Sequence, residues 1–155
     1  MIRTDNYVRN ISTKRKDYLT MEKLNGFHHI ALNASDFEKS YKFYTECLGL
    51  TEYRRWKSGD GKKTICLLSC GNGNMIELFS GAEPRTTYDE EGGNVIHFAF
   101  RVDNARYWYN KAIEYGCESH MVVDDKVLPA EPAINCVIGF VKGPDGELIE
   151  FFEEH

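Results

Sequence analysis

Residues 146–152 read GELIEFF, and residues 73–79 read GNMIELF. Both stretches open on a glycine and set one glutamate, Glu77 or Glu150, among apolar, strand-favouring neighbours. In an alternating strand Leu148, Glu150 and Phe152 point to one side and Ile149 and Phe151 to the other. A carboxylate in such a run must be paired, protonated, turned to a polar cavity or bound to a metal, because a desolvated and unpaired charge is costly. Its recurrence points to an internal duplication, which decides the fold.

Working outward from each copy extends the match. In the first half, residues 27–35 (FHHIALNAS) alternate as a strand, and Asp36 is placed to cap a helix carrying Phe37, Tyr41, Tyr44 and Leu48 before Gly49. Residues 50–56, 63–69 and 75–79 then read as strands joined by Ser-Gly-Asp-Gly and Gly-Asn-Gly-Asn turns. In the second half, residues 94–102 (NVIHFAFRV) form the strand, and Asp103 or Asn104 opens a helix carrying Ala105, Trp108, Ala112 and Tyr115 before Gly116. Strands follow at residues 117–123, 134–141 and 147–152, with a Pro-containing loop predicted over residues 124–132. Each half is a βαβββ unit. The expected fold class is α+β, with modules at about 24–81 and 94–153 inside a single domain spanning 21–155. A segment rich in Gly, Pro and acid, residues 81–93, lies between the modules, and the polar, locally basic residues 1–20 read as an N-terminal appendage or arm.

Overlaying the modules sets His29-Ile30-Ala31-Leu32 on His97-Phe98-Ala99-Phe100. Strand parity puts His29, Ala31 and Asn33 on one face and His97, Ala99 and Arg101 on the matching face, while Ile30, Leu32, Phe98 and Phe100 face the helices. Both histidines therefore look into a concavity. Two imidazoles and two carboxylates from His29, Glu77, His97 and Glu150 make an N2O2 set suited to Zn, Ni, Co, Mn or Fe(II). His28 falls on the opposite parity and reads as packing or surface, and His120 and His155 have no counterparts and read as solvated. Phe43, Tyr44, Tyr107, Trp108 and Tyr109 read as helix packing or dimer contact. Cys66 and Cys70 read as structural thiols.

Composition excludes several classes. Of 155 residues, 42% are apolar and 28% charged, which is the balance of a globular domain. No apolar run approaches the roughly 20 residues of a membrane span, so no membrane partner is expected. A net charge of −5 offers no footprint for nucleic acid. Five cysteines, odd in number and without a CxxC pair, suggest neither a disulfide framework nor a thiolate zinc site. A cytoplasmic setting is expected.

The paired βαβββ modules, the strand HIAL followed by SDFEKSYKFYTECLGL, the second strand IHFAFRVDN and the terminal GPDGELIEF resemble the vicinal oxygen chelate superfamily, which joins glyoxalases, bleomycin-resistance proteins and dioxygenases. Within it the chain is most similar to the glyoxalase I (lactoylglutathione lyase) branch. The resemblance covers residues 24–153 and implies a cup-shaped, eight-stranded mixed sheet in a homodimer. It implies that His29, Glu77, His97 and Glu150 bind a divalent metal, Zn or Ni foremost, and that Glu150, with Glu77 as its mirror, moves the substrate proton. The substrate implied is a small molecule, a thiol adduct of an α-oxoaldehyde. Two positions depart from the glutathione-contact pattern of that branch: Asn33 stands where an Arg is common, and Gly81 where an Asn is common. Another thiol adduct or oxyacid is an alternative substrate. Alternative activities are an epimerase, an Fe(II) ring-cleaving dioxygenase using His29, His97 and Glu150, or a ligand-sequestering protein of bleomycin-resistance type.

Overall fold

The computed structural model describes residues 24–84 and 95–155. The expected appendage at residues 1–20 and most of the intermodule segment lie outside the described residues. Strands β1 (His29–Ala34), β2 (Thr51–Lys57), β3 (Thr64–Gly71) and β4 (Asn74–Ser80) form one four-stranded sheet in the order β1-β4-β3-β2. Strands β5 (Phe98–Arg101), β6 (Glu118–Leu128), β7 (Ile134–Lys142) and β8 (Leu148–Glu154) form a second, ordered β5-β8-β7-β6. Each sheet is mixed: β1 runs parallel to β4 and β5 parallel to β8, and the remaining pairs are antiparallel. The expected α+β duplication is present, its eight strands divided into two sheets of four.

Helix α1 (Phe37–Lys42) starts where Asp36, in an extended conformation, accepts a hydrogen bond from the Lys39 N–H. It runs on into a π-helical turn at Phe43–Cys47, in which the Leu48 N–H donates to the Phe43 carbonyl five residues back. The widened turn brings Phe43, Tyr44, Cys47 and Leu48 all onto the buried side. Gly49, at φ 74°, then reverses the chain into β2 at no steric cost. Helix α2 (Ala105–Glu114) is capped by Asn104, which accepts from the Tyr107 N–H, so Asn104 rather than Asp103 opens it. Its buried face is Ala105, Tyr109 and Ala112; Trp108 is half-buried and Tyr107 exposed.

The sequence pattern predicts that the sixth strand ends at residue 123. In the structure β6 continues to Leu128, pairing Val127 with Asn135 and Leu128 with Ile134, so the loop predicted over residues 124–132 is mostly one arm of a hairpin. The charged run Asp124-Asp125-Lys126 is compatible with this because β6 is an outer strand whose side chains there are exposed. Register shifts interrupt β6 between Ser119 and Met121 and again before Asp124; β2 carries one between Glu52 and Arg54.

One core joins the halves. The helix-facing sides of both sheets (Cys66, Leu68, Ile76 and Leu78 from the first; Val141, Ile149 and Phe151 from the second) pack with Phe43, Tyr44 and Tyr109 from the helices. Polar contacts reinforce it. Asp145, in the β7–β8 turn, accepts from the Ser35 N–H and hydroxyl at 2.7 Å each and from the Ser40 hydroxyl at 2.6 Å. Tyr44 donates to Glu147 from the same turn. With the core spent on the helix-facing sides, the opposite faces of β1 and β5 stay open: His29, Ala31, Asn33, Ala99 and Arg101 are exposed.

Candidate metal centre

The two parallel ladders position the candidate donors. Glu77 stands across β4 from Ala31, and Glu150 stands across β8 from Ala99. Each alanine follows a histidine by two residues, so the imidazole lies on the same face about 7 Å along the strand. The small methyl between them leaves the diagonal clear, and each histidine reaches its glutamate: His29 Nε2 is 3.3 Å from Glu77 Oε2, and His97 Nε2 is 3.1 Å from Glu150 Oε2.

The pairs share a burial gradient. The carboxylate side chains are 13% and 9% exposed for Glu77 and Glu150, whereas the His29 and His97 side chains are 40% and 37% exposed. Burial pushes the Glu150 carboxyl above its ordinary range, and the nearby His97 imidazole pulls it partly back. A sheltered carboxylate beneath an accessible imidazole is a two-donor N,O arrangement facing the open side of the sheet.

Each pair has a different surround. His29 Nδ1 shares a 2.8 Å hydrogen bond with His28 Nδ1, and the two rings meet edge to face, which leaves His29 Nε2 directed at Glu77. Parity places His28 in packing or at the surface, and it is exposed, with its ring turned onto that of His29. On the other side the His97 ring meets Phe140 edge-on at 5.1 Å, and Phe140 lies across β7 from Glu150. The His120 ring also lies near Phe140, at 6.4 Å between ring centres. His120 has no counterpart in the first half, and it is exposed, as expected.

All four donors expected from the sequence thus face away from the core in two matched pairs. Among the described residues no group of three or more His, Cys, Asp or Glu side chains is gathered to hold a metal ion. The donor chemistry of each pair fits one half of an N2O2 centre, and a complete centre requires the two halves to meet. The cysteines stand apart from this chemistry: burial pushes the thiols of Cys66 and Cys70 up to about 11 and that of Cys117 up to about 12, and all five cysteines are free.

Comparison with known proteins gives this geometry a context. Residues 26–151 match the family described as the Glyoxalase/Bleomycin resistance protein/Dioxygenase superfamily. The chain is 30% identical over 134 residues to a lactoylglutathione lyase of Haemophilus influenzae, covering 81% of this chain and 90% of that one. It is 33% identical over 137 residues to an uncharacterized protein of Bacillus subtilis, covering 84% and 98%. Among solved structures, a glyoxalase family protein from Enterococcus faecalis superposes with a TM-score of 0.66 at 26% identity, covering 84% of this chain and 98% of the other.

Proposed function

Because the chain belongs to the glyoxalase/bleomycin resistance protein/dioxygenase superfamily, we propose that it is a metal-dependent lyase or isomerase of glyoxalase type. Its substrate is a hemithioacetal, the adduct of an α-oxoaldehyde with a thiol, or a related vicinal oxygen compound. The observation that carries this reading is the His–Glu pair built twice at matching register, His29 with Glu77 and His97 with Glu150. Members of this superfamily generally bind divalent metals. Imidazole and carboxylate donors suit Zn or Ni foremost, with Co, Mn and Fe in the same range. A homodimer supports the union of the halves: the pairs of one chain are not gathered into a single group among the described residues, and the β1 and β5 faces that carry the histidines are open. The setting is cytoplasmic.

His29, Glu77, His97 and Glu150 would hold a divalent ion, which would supply Lewis-acid stabilisation of the charge that develops on the substrate. Glu150 is the proton-moving group. Its carboxylate is sheltered and its affinity for a proton raised by burial, which brings it nearer to the range of a working general base. It takes the proton from the carbon bearing the sulfur and the hydroxyl and returns it to the neighbouring carbonyl carbon, while the hydroxyl proton passes to the oxygen on that carbon, so the hemithioacetal leaves as a 2-hydroxy thioester with no net gain or loss of atoms. His97, 3.1 Å away, holds Glu150 in register, and Glu77 with His29 is the mirror pair.

The test is metal analysis of the purified protein followed by a panel of thiols mixed with methylglyoxal, with proton exchange at the product carbon followed by NMR. About one ion per four donors and turnover of at least one adduct are expected. Protein that takes up no divalent ion and turns over no adduct overturns the reading.

A further inference from the structure

The duplication exposes one difference between the two donor pairs. Overlaying His29 on His97 sets His28 on Ile96. The first pair therefore has a second imidazole beside its histidine, where the second pair has an isoleucine, whose side chain carries no nitrogen or oxygen. His97 is met instead by carbon, the Phe140 ring, at 5.1 Å between ring centres.

The contact between His28 and His29 is specific in its atoms. Nδ1 of one lies 2.8 Å from Nδ1 of the other, and the rings stand at 85°. The backbone beneath it is held as well. The Met75 N–H donates to the His28 carbonyl at 3.0 Å, next to the His29–Met75 pair that opens the β1–β4 ladder. Because β1 is an end strand of its sheet, the His28 ring, although on the other parity, turns round the open edge to reach its neighbour. His28 itself is exposed, so its Nε2 is served by water.

An imidazole that gives Nε2 to a metal ion must keep its proton on Nδ1. Glu77 works against this, since its carboxylate, 3.3 Å from His29 Nε2, favours a proton on that nitrogen. A lone pair placed at Nδ1 works the other way. We infer that His28 is the positioning residue of the first donor pair: its Nδ1 accepts the proton of His29 Nδ1–H, fixes the rotation of that ring, and leaves His29 Nε2 free for a divalent ion. The inference rests on the metal-dependent reading above and adds to it a residue that touches neither ion nor substrate. Outer partners of this kind are worth about 10- to 100-fold in metal affinity, and the exposure of His28 puts it at the low end.

The test reads affinity rather than turnover, by titrating apo protein with Zn(II) or Ni(II) against a chromophoric chelator. His28→Phe keeps a ring but removes the acceptor, and binds about tenfold more weakly than wild type. His28→Asn, whose side-chain oxygen takes the place of Nδ1, stays within about twofold of wild type. In a His29→Ala background His28→Phe causes no further loss, because a residue that acts through His29 has nothing left to act on. Melting temperatures of the apo proteins match for wild type and both His28 variants, as suits an exposed position. Wild-type affinity in His28→Phe, a loss in His28→Asn as large as in His28→Phe, or a second loss on top of His29→Ala overturns the inference. Affinity that depends on His28 in this way, in protein that turns over no thiol adduct, upholds the role of His28 and overturns the assigned reaction. Protein that takes up neither ion overturns both.

Discussion

The hydroxyl of Tyr44, wholly buried in the shared core, donates to the carboxylate of Glu147 at 2.5 Å. The other Glu147 oxygen accepts the backbone N–H of Asp145, so the turn between β7 and β8 is fastened to the π-helical turn of the opposite half. Burial pushes the Glu147 carboxyl up, and the Tyr44 donation offsets part of that rise. A carboxyl raised in the folded state binds more protons folded than unfolded between its ordinary and raised values. Its stabilisation is therefore full below about pH 4.3 and is lost as pH rises through the folded value. Tyr44→Phe removes the donor and raises Glu147 further. The variant is expected to lose about 1–3 kcal/mol at pH 8 and less at pH 4, read by denaturant unfolding at both. Equal losses at the two pH values show that the hydroxyl and the carboxylate are not coupled.

Glu150→Gln keeps the shape of the side chain and an oxygen for the metal but cannot accept a substrate proton. Turnover of a productive adduct is expected to fall by about 10² to 10⁴, with metal content reduced far less. The measurement is kcat alongside NMR-detected exchange, and an undiminished exchange rate assigns the base elsewhere.

His29→Ala and His97→Ala each remove one nitrogen donor, and each variant alone is expected to bind metal at least about tenfold more weakly. Mixing them separates a centre made within one chain from one shared by two. In a shared arrangement, a mixed dimer has one centre lacking both nitrogens and one with all four donors intact. Activity recovered on refolding the two variants together, and absent from either alone, is the expected outcome.

A methyl group at Gly139 of β7 would lie 2.7 Å from Val123 Cβ, 2.9 Å from Val123 Cα and 3.0 Å from the Tyr109 ring. Since one of these contacts is backbone, the strand or helix must move. Gly139→Ala is expected to cost about 1–3 kcal/mol and lower the melting temperature by several degrees. A melting temperature equal to wild type means that β6 and α2 yield freely.

Much of the site was legible because its information is periodic. The alternation in HIAL and HFAF, and in MIELF and LIEFF, fixed which side chains share a face, and duplication turned two unremarkable histidines and two awkward glutamates into a set. What was not legible lies where periodicity fails. The π-helical turn at Phe43–Cys47 moves side chains off a regular helical count, so that Phe43 joins Tyr44 on the buried side, and the register shifts of β6 break its alternation. Asp124, Asp125 and Lys126 looked like loop because burial selects for pattern, and an outer strand exposed on both faces carries none. The hydrogen bond between His28 and His29 depends on ring rotation at the very start of β1, which residue order does not encode.

The interrupted strands also bear on how a second copy can approach. β2 and β6 each form one edge of their sheet, opposite β1 and β5, and each combines register shifts with charge: Glu52, Arg54, Arg55 and Lys57 on one, Glu118, Asp124, Asp125 and Lys126 on the other. A kinked and charged rim is a poor template for an incoming strand, so it guards against edge-to-edge addition and the fibrous aggregation that follows from it. Contact between copies is thereby turned away from the β2 and β6 edges and toward the β1 and β5 sides, where His29 and His97 stand.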